Sequence, residues 1–140
     1  MTAALQADRT ERAAGIDLVL FSAGGLTFAV ESAKVRALEA ADESEASNLA
    51  NLLGLPAAAP VAGIRIPCRR LRLLHPSGEL AVHVDEPVIH CRLSAAALHP
   101  LPLLLAAVLT LPCVCALAHL EDPDGESLAV VLDPAHLPIR

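Results

Sequence analysis

Large apolar residues recur every second position in many short runs, and turn residues separate those runs. Ile16 to Ser22 is mostly apolar and has no helical caps. Ala23-Gly24-Gly25 follows, and then Leu26, Phe28 and Val30 alternate with Thr27, Ala29 and Glu31. Two such runs about a Gly-Gly turn predict a β-hairpin. Val35, Ala37 and Ala41 continue as a third strand, with Lys34 and Arg36 pointing outward.

Asp42 to Glu45 is polar and loop-like. Ser47 or Asn48 is placed to cap a short helix over Leu49, Leu52 and Leu53, which Gly54 and Pro56 stop. Arg65 to Leu74 reads as a strand, and His75-Pro76-Ser77-Gly78 as a turn. Leu80, Val82 and Val84 then form the returning strand of a second hairpin. Val88 to Leu93 is a further run, with Ile89, Cys91 and Leu93 on one face. His99-Pro100-Leu101-Pro102 predicts a rigid corner, and Leu103 to Leu109 a short helix or an extended segment. Cys113 to Leu120 and Leu128 to Leu132 are the last two strands, with Asp122 to Gly125 between them. Asp133-Pro134 can start one turn of helix. Many short strands at close spacing predict an all-β barrel or sandwich.

The length of 140 residues suits one domain, and 54% hydrophobic residues suffice for a core. Phe21 and Phe28 are the only aromatic residues besides histidine, so Leu, Val, Ile and Ala must fill that core. A net charge of -6 and so few aromatics exclude the usual footprint of a nucleic-acid binder. Arg65, Arg69, Arg70 and Arg72 are read as the outer face of a strand rather than a phosphate site.

Residues 1–15 mix charged and small residues and are read as a flexible segment. They contain no apolar stretch of the secretory kind, so a cytoplasmic location with reduced thiols is expected. Residues 16–137 form the expected single domain, and 138–140 a tail. Leu101 to Ala118 is nearly long and apolar enough to cross a membrane. Pro102, Thr110 and Pro112 interrupt it, so no membrane insertion is expected.

Candidate chemistry is sparse. Cys113 and Cys115 on a strand would face one side with Leu117 and His119, and Cys91 or Cys68 could complete a soft-metal site. The Cys-x2-Cys knuckle of structural zinc sites is absent, so buried thiols are the preferred reading. His75, His83, His90, His99, His119 and His136 are scattered without ligand spacing. Neither a nucleophile elbow nor a phosphate-binding loop occurs, and Asp85-Glu86 is read as a solvated corner. The chain is therefore expected to be no enzyme and to carry no metal or cofactor. A metal- or redox-sensing module using Cys113, Cys115 and Cys91 or His119 is the alternative.

Several segments resemble CheW-like domains in one shared order. Leu18 to Val30 looks like the opening hairpin of those domains, and Lys34-Val35-Arg36-Ala37-Leu38 like the following Lys-Val-x-Glu-Ile segment. Asn48 to Pro56 is similar to their Asp-Leu-x3-Leu-Gly-Leu-Pro stretch. Leu80 to Val88 resembles their Val-Asp segment, and His99 to Pro102 their Pro-x-Pro corner. Cys115 to Leu137 resembles the closing hairpin and the terminal Leu-Asp-x3-Leu. The likeness spans most of residues 16–137. It departs between Ala41 and Ser47, where the family carries an Asn-x-Arg-Gly turn and a further strand.

The resemblance implies a pair of small SH3-like β-barrels with short helical segments, the first barrel lacking about two strands. It also implies a non-enzymatic adaptor that binds a CheA-type histidine kinase and the cytoplasmic tip of a chemoreceptor. In the family, the valine matching Val35 lies in the receptor groove, which makes Val35 and Leu38 the partner-contact candidates. Strand edges left uncovered in a shortened barrel could pair with a second copy or another protein.

Overall fold

The computed structural model describes residues 15–41, 47–55, 67–101, 111–122 and 125–138. The strands are β1 (Gly15–Ala23), β2 (Leu26–Glu31), β3 (Val35–Ala40), β4 (Ser47–Asn48), β5 (Cys68–His75), β6 (Gly78–Ser94), β7 (Leu98–Pro100), β8 (Val114–Asp122) and β9 (Gly125–Leu132). One helical turn, α1 (Leu49–Leu52), and 3-10 turns at Ser32–Lys34, Ala95–Ala97 and Pro134–His136 complete the described elements. The all-β expectation holds.

The opening hairpin forms where the Gly-Gly turn predicts it. Gly24 and Gly25 have φ of 57° and 81°, left-handed values that a side chain would resist. Both central positions of the turn are thus positive, which suits the right-handed twist of the strands it joins. The register pairs Phe21 with Phe28 and Leu18 with Glu31.

The sheet runs in the order β3-β5-β6-β1-β2-β9-β8-β7, with β4 added beside β6. Strand β6 is one continuous element, where the sequence suggested two runs. Its first part pairs with β5 over Gly78 to Asp85, and its later part with β1 over Asp85 to Ser94. Pro87, which has no N–H to give to a ladder, falls at the changeover between those partners. A proline therefore did not end the strand.

Two separate hydrophobic clusters lie along this sheet, as paired small barrels require. The first contains Phe21, Phe28, Val30, Leu49, Leu52, Leu53, Leu71, Leu73, Val82, Val84, Cys113, Leu132 and Leu137. The second contains Leu18, Leu20, Ala29, Ala118, Ala129 and Val131. Strands β1, β2 and β9 serve both. Phe21, Phe28 and Leu132 belong to the first cluster, while Leu18, Ala29 and Val131 belong to the second. A strand covered on both faces needs apolar residues at odd and even positions alike. Ala29 accordingly is buried, rather than outward as simple alternation suggested.

Helix α1 is positioned by its cap. The Asn48 Oδ1 accepts a hydrogen bond from the Ala50 N–H at 2.9 Å. Leu49, Ala50 and Leu52 then enter the first core, and Gly54 at φ 71° ends the turn. The Asp42–Glu45 loop, Arg65 and the Leu103–Leu109 segment lie outside the described residues.

Candidate functional site

The sequence candidates Val35 and Leu38 both sit on β3, the terminal strand of the sheet path. Val35 is in register with Leu73, and Leu38 with Leu71. Directly opposed residues share a face, so both candidates project on the side that holds the first core. Val35 is half-buried against that core. Leu38 is 39% exposed, and among the described strands β3 has one neighbour, β5. A register shift between Val35 and Ala37 bulges the strand there. Strand β3 ends at Ala40, one residue short of the expected Ala41.

The other side of β3 and β5 carries charge. Arg72 pairs with Glu79 and lies 3.8 Å from Glu39, and Arg36 lies 3.7 Å from Glu79. Arg69 reaches Glu86 at 3.7 Å and donates to the Glu39 carbonyl at 3.2 Å. Its hydrogen bond with Arg72 holds the Glu79 carboxyl below its ordinary value. Arg72 thus meets its carboxylates on the face away from the first core, whereas Arg69, in register with the buried Val84, meets Glu86 at the rim of the core side.

Lys34 departs from the outward placement expected of it. Its Nζ lies 3.2 Å from Asp133 Oδ1, where it donates a hydrogen bond. The same oxygen accepts from the Ala135 N–H at 3.1 Å, so Asp133 also caps the Pro134–His136 turn. The Asp133 N–H donates to the Cys113 carbonyl at 2.7 Å. Partial burial opposes ionisation of Asp133, yet the Ala135 amide, the Lys34 ammonium and His136 outweigh it and hold the carboxyl below its usual value. Lys34, Leu74, His75, Pro76, Asp133 and Ala135 together line a groove of about 210 Å³. This groove begins one residue from Val35. The sequence marks Asp133-Pro134 as a helix start but carries no local signal for the pairing of Asp133 with Lys34.

The cysteines do not assemble as the alternating pattern suggested. A register shift between Val114 and Ala116 breaks the two-residue period of β8. Cys113 lies in the turn before the strand and is buried in the first core, whereas Cys115 is exposed. Cys91 packs against the second cluster. Burial pushes the Cys91, Cys113 and Cys115 thiols up, the opposite of a reactive thiolate. Among the described residues, no three His, Cys, Asp or Glu side chains converge as metal ligands would.

An apolar cavity of about 230 Å³ opens beside the first core, with Leu26, Phe28, Leu53, Leu55, Leu117 and Val130 in its wall. Val114 to Ala118 lies in β8, so the apolar run from Leu101 to Ala118 is not one helix. No described helix is long and apolar enough to cross a membrane.

No family model matches the chain, and no curated protein matches it. Among solved structures it is similar to the scaffolding protein TtCheW from Thermoanaerobacter tengcongensis, with a TM-score of 0.61. The match covers 86% of this chain and 90% of that one, at 12% sequence identity. The fold is CheW-like. In this CheW-like frame the shared strands β1, β2 and β9 separate the two cores, and β3 with the C-terminal turn borders the groove at Val35.

Proposed function

We propose that the chain is a non-enzymatic signalling adaptor of a bacterial chemosensory system, working in the cytoplasm. Its partner is the regulatory domain of a CheA-type histidine kinase, and the receptor tip is the second binding partner. The CheW-like fold across 86% of the chain is the observation that carries this reading. Val35 and the half-exposed Leu38 on the terminal strand are the proposed contacts. An apolar pair on one side of β3 with charges on the other suits docking at this strand, because the apolar residues supply the gain on burial and the charges set orientation. The sensing alternative draws no support from thiols whose ionisation is suppressed by burial.

The test is the solution mass of the full chain, alone and mixed with the regulatory domain of a CheA-type kinase from the same genome. A stable complex that is lost on Val35→Lys supports the adaptor. A chain that stays apart from both that domain and the receptor tip overturns it, and self-association instead would mark a fold redirected to another partner.

A further inference from the structure

Lys34 and Asp133 stand 99 positions apart in the chain and share one hydrogen bond. Lys34 ends the Ser32–Lys34 turn, and Val35 opens β3 directly after it. Asp133 is anchored without Lys34, through its N–H on the carbonyl of the buried Cys113 and its cap on Ala135. The next residue, Pro134, is fully buried. Asp133 is therefore a fixed point on the C-terminal turn, and the ammonium of Lys34 is brought to it.

The pair is too exposed to matter much to the fold as a whole. The side chains are 36% and 26% exposed, and such pairs add little to global stability. Its effect is local, because both residues line the groove that also takes Leu74, His75 and Ala135.

We propose that Asp133 is a positioning residue for the docking edge. It holds Lys34, and through the chain the entry to β3 at Val35, at one distance from the C-terminal turn. The width of the groove and the presentation of Val35 are set together by this contact. The inference rests on the reading of β3 as the docking edge.

The experiment uses the full chain with Lys34→Gln, Asp133→Asn, the two combined, and Val35→Lys. Asparagine at 133 keeps an acceptor for the Ala135 N–H, so the cap survives. Amide and methyl resonances of Val35 are followed in the free protein, and affinity is measured for the kinase regulatory domain. Asp133→Asn is expected to move the Val35 resonances. Each single change is expected to weaken binding about two- to fivefold, the span of an exposed pair's coupling. The combined change should lose no more than either alone. Unmoved Val35 resonances, or losses that add, overturn the positioning role. If they do so while Val35→Lys still abolishes binding, the docking reading stands alone. If Val35→Lys binds like the wild type, the docking reading fails and takes the proposal with it.

Discussion

Phe21 and Phe28 face each other across the β1–β2 pair with ring centroids 6.3 Å apart and planes 24° from parallel. They are the only two aromatic rings other than imidazoles in the chain, and both lie in the first core. The second core rests on Leu18, Leu20 and Val131 with three alanines, so it buries smaller side chains. Stability should therefore be concentrated around the phenylalanine pair.

Phe21→Ala is expected to cost about 3–5 kcal/mol, from lost transfer energy and the cavity left behind. That is a large part of a typical domain's stability of about 5–15 kcal/mol. Ala118→Gly in the second core should cost far less. Urea unfolding of both variants checks the ranking, and equal losses would contradict it.

Asn48→Ala removes the acceptor for the Ala50 N–H and should cost about 1 kcal/mol. The loss should be local. Hydrogen exchange is expected to quicken at Ala50 to Leu53 and to leave β8 and β9 unchanged.

The Ala135 amide and, after it, the Lys34 ammonium at Asp133 predict a sign for pH dependence. The Asp133 carboxyl titrates lower in the folded chain than in the unfolded one. Its contribution is thus complete above the unfolded value of about 3.9 and fades as pH falls through the folded value. The stability gap between wild type and Asp133→Asn should be constant from neutral pH to about 5 and then narrow. A gap that widens on acidification would have the wrong sign.

Thiol chemistry should follow burial. Cys68 and Cys115 are exposed, while Cys113 is fully buried with its thiol pushed up. Iodoacetamide at neutral pH is expected to label Cys68 and to spare Cys113 until the chain unfolds. Cys115 is exposed as a residue, but its Sγ is partly desolvated against the Val131 carbonyl and its thiol is pushed up, so its labelling should lag that of Cys68 and quicken as the pH rises. Mass spectrometry of timed samples reads all three.

Val35→Lys places a charge at the half-buried start of β3. The side chain can extend toward solvent at this terminal strand, so folding should survive. Binding of the kinase regulatory domain should fall at least tenfold, the usual cost of truncating a strong interface contact. Calorimetric titration beside a melting curve separates the two effects.

Local chemistry alone determined much of this protein. The Gly24-Gly25 turn, the Asn48 cap, the β5–β6 hairpin about Pro76-Ser77 and the start of the last turn at Asp133 each depend on neighbours within a few residues. Alternation marked the strands, and their number with the order of short motifs pointed to the CheW-like fold. Alternation says that a strand has two faces and not what covers them. Tertiary structure therefore decided that Ala29 is buried against a second core, that β6 runs past Pro87 from one partner strand to another, and that a bulge in β8 separates Cys113 from Cys115. It also decided the pairing of Lys34 with Asp133, because no local pattern can join residues 99 positions apart. That contact exists only where folding carries the C-terminal turn to the entry of β3.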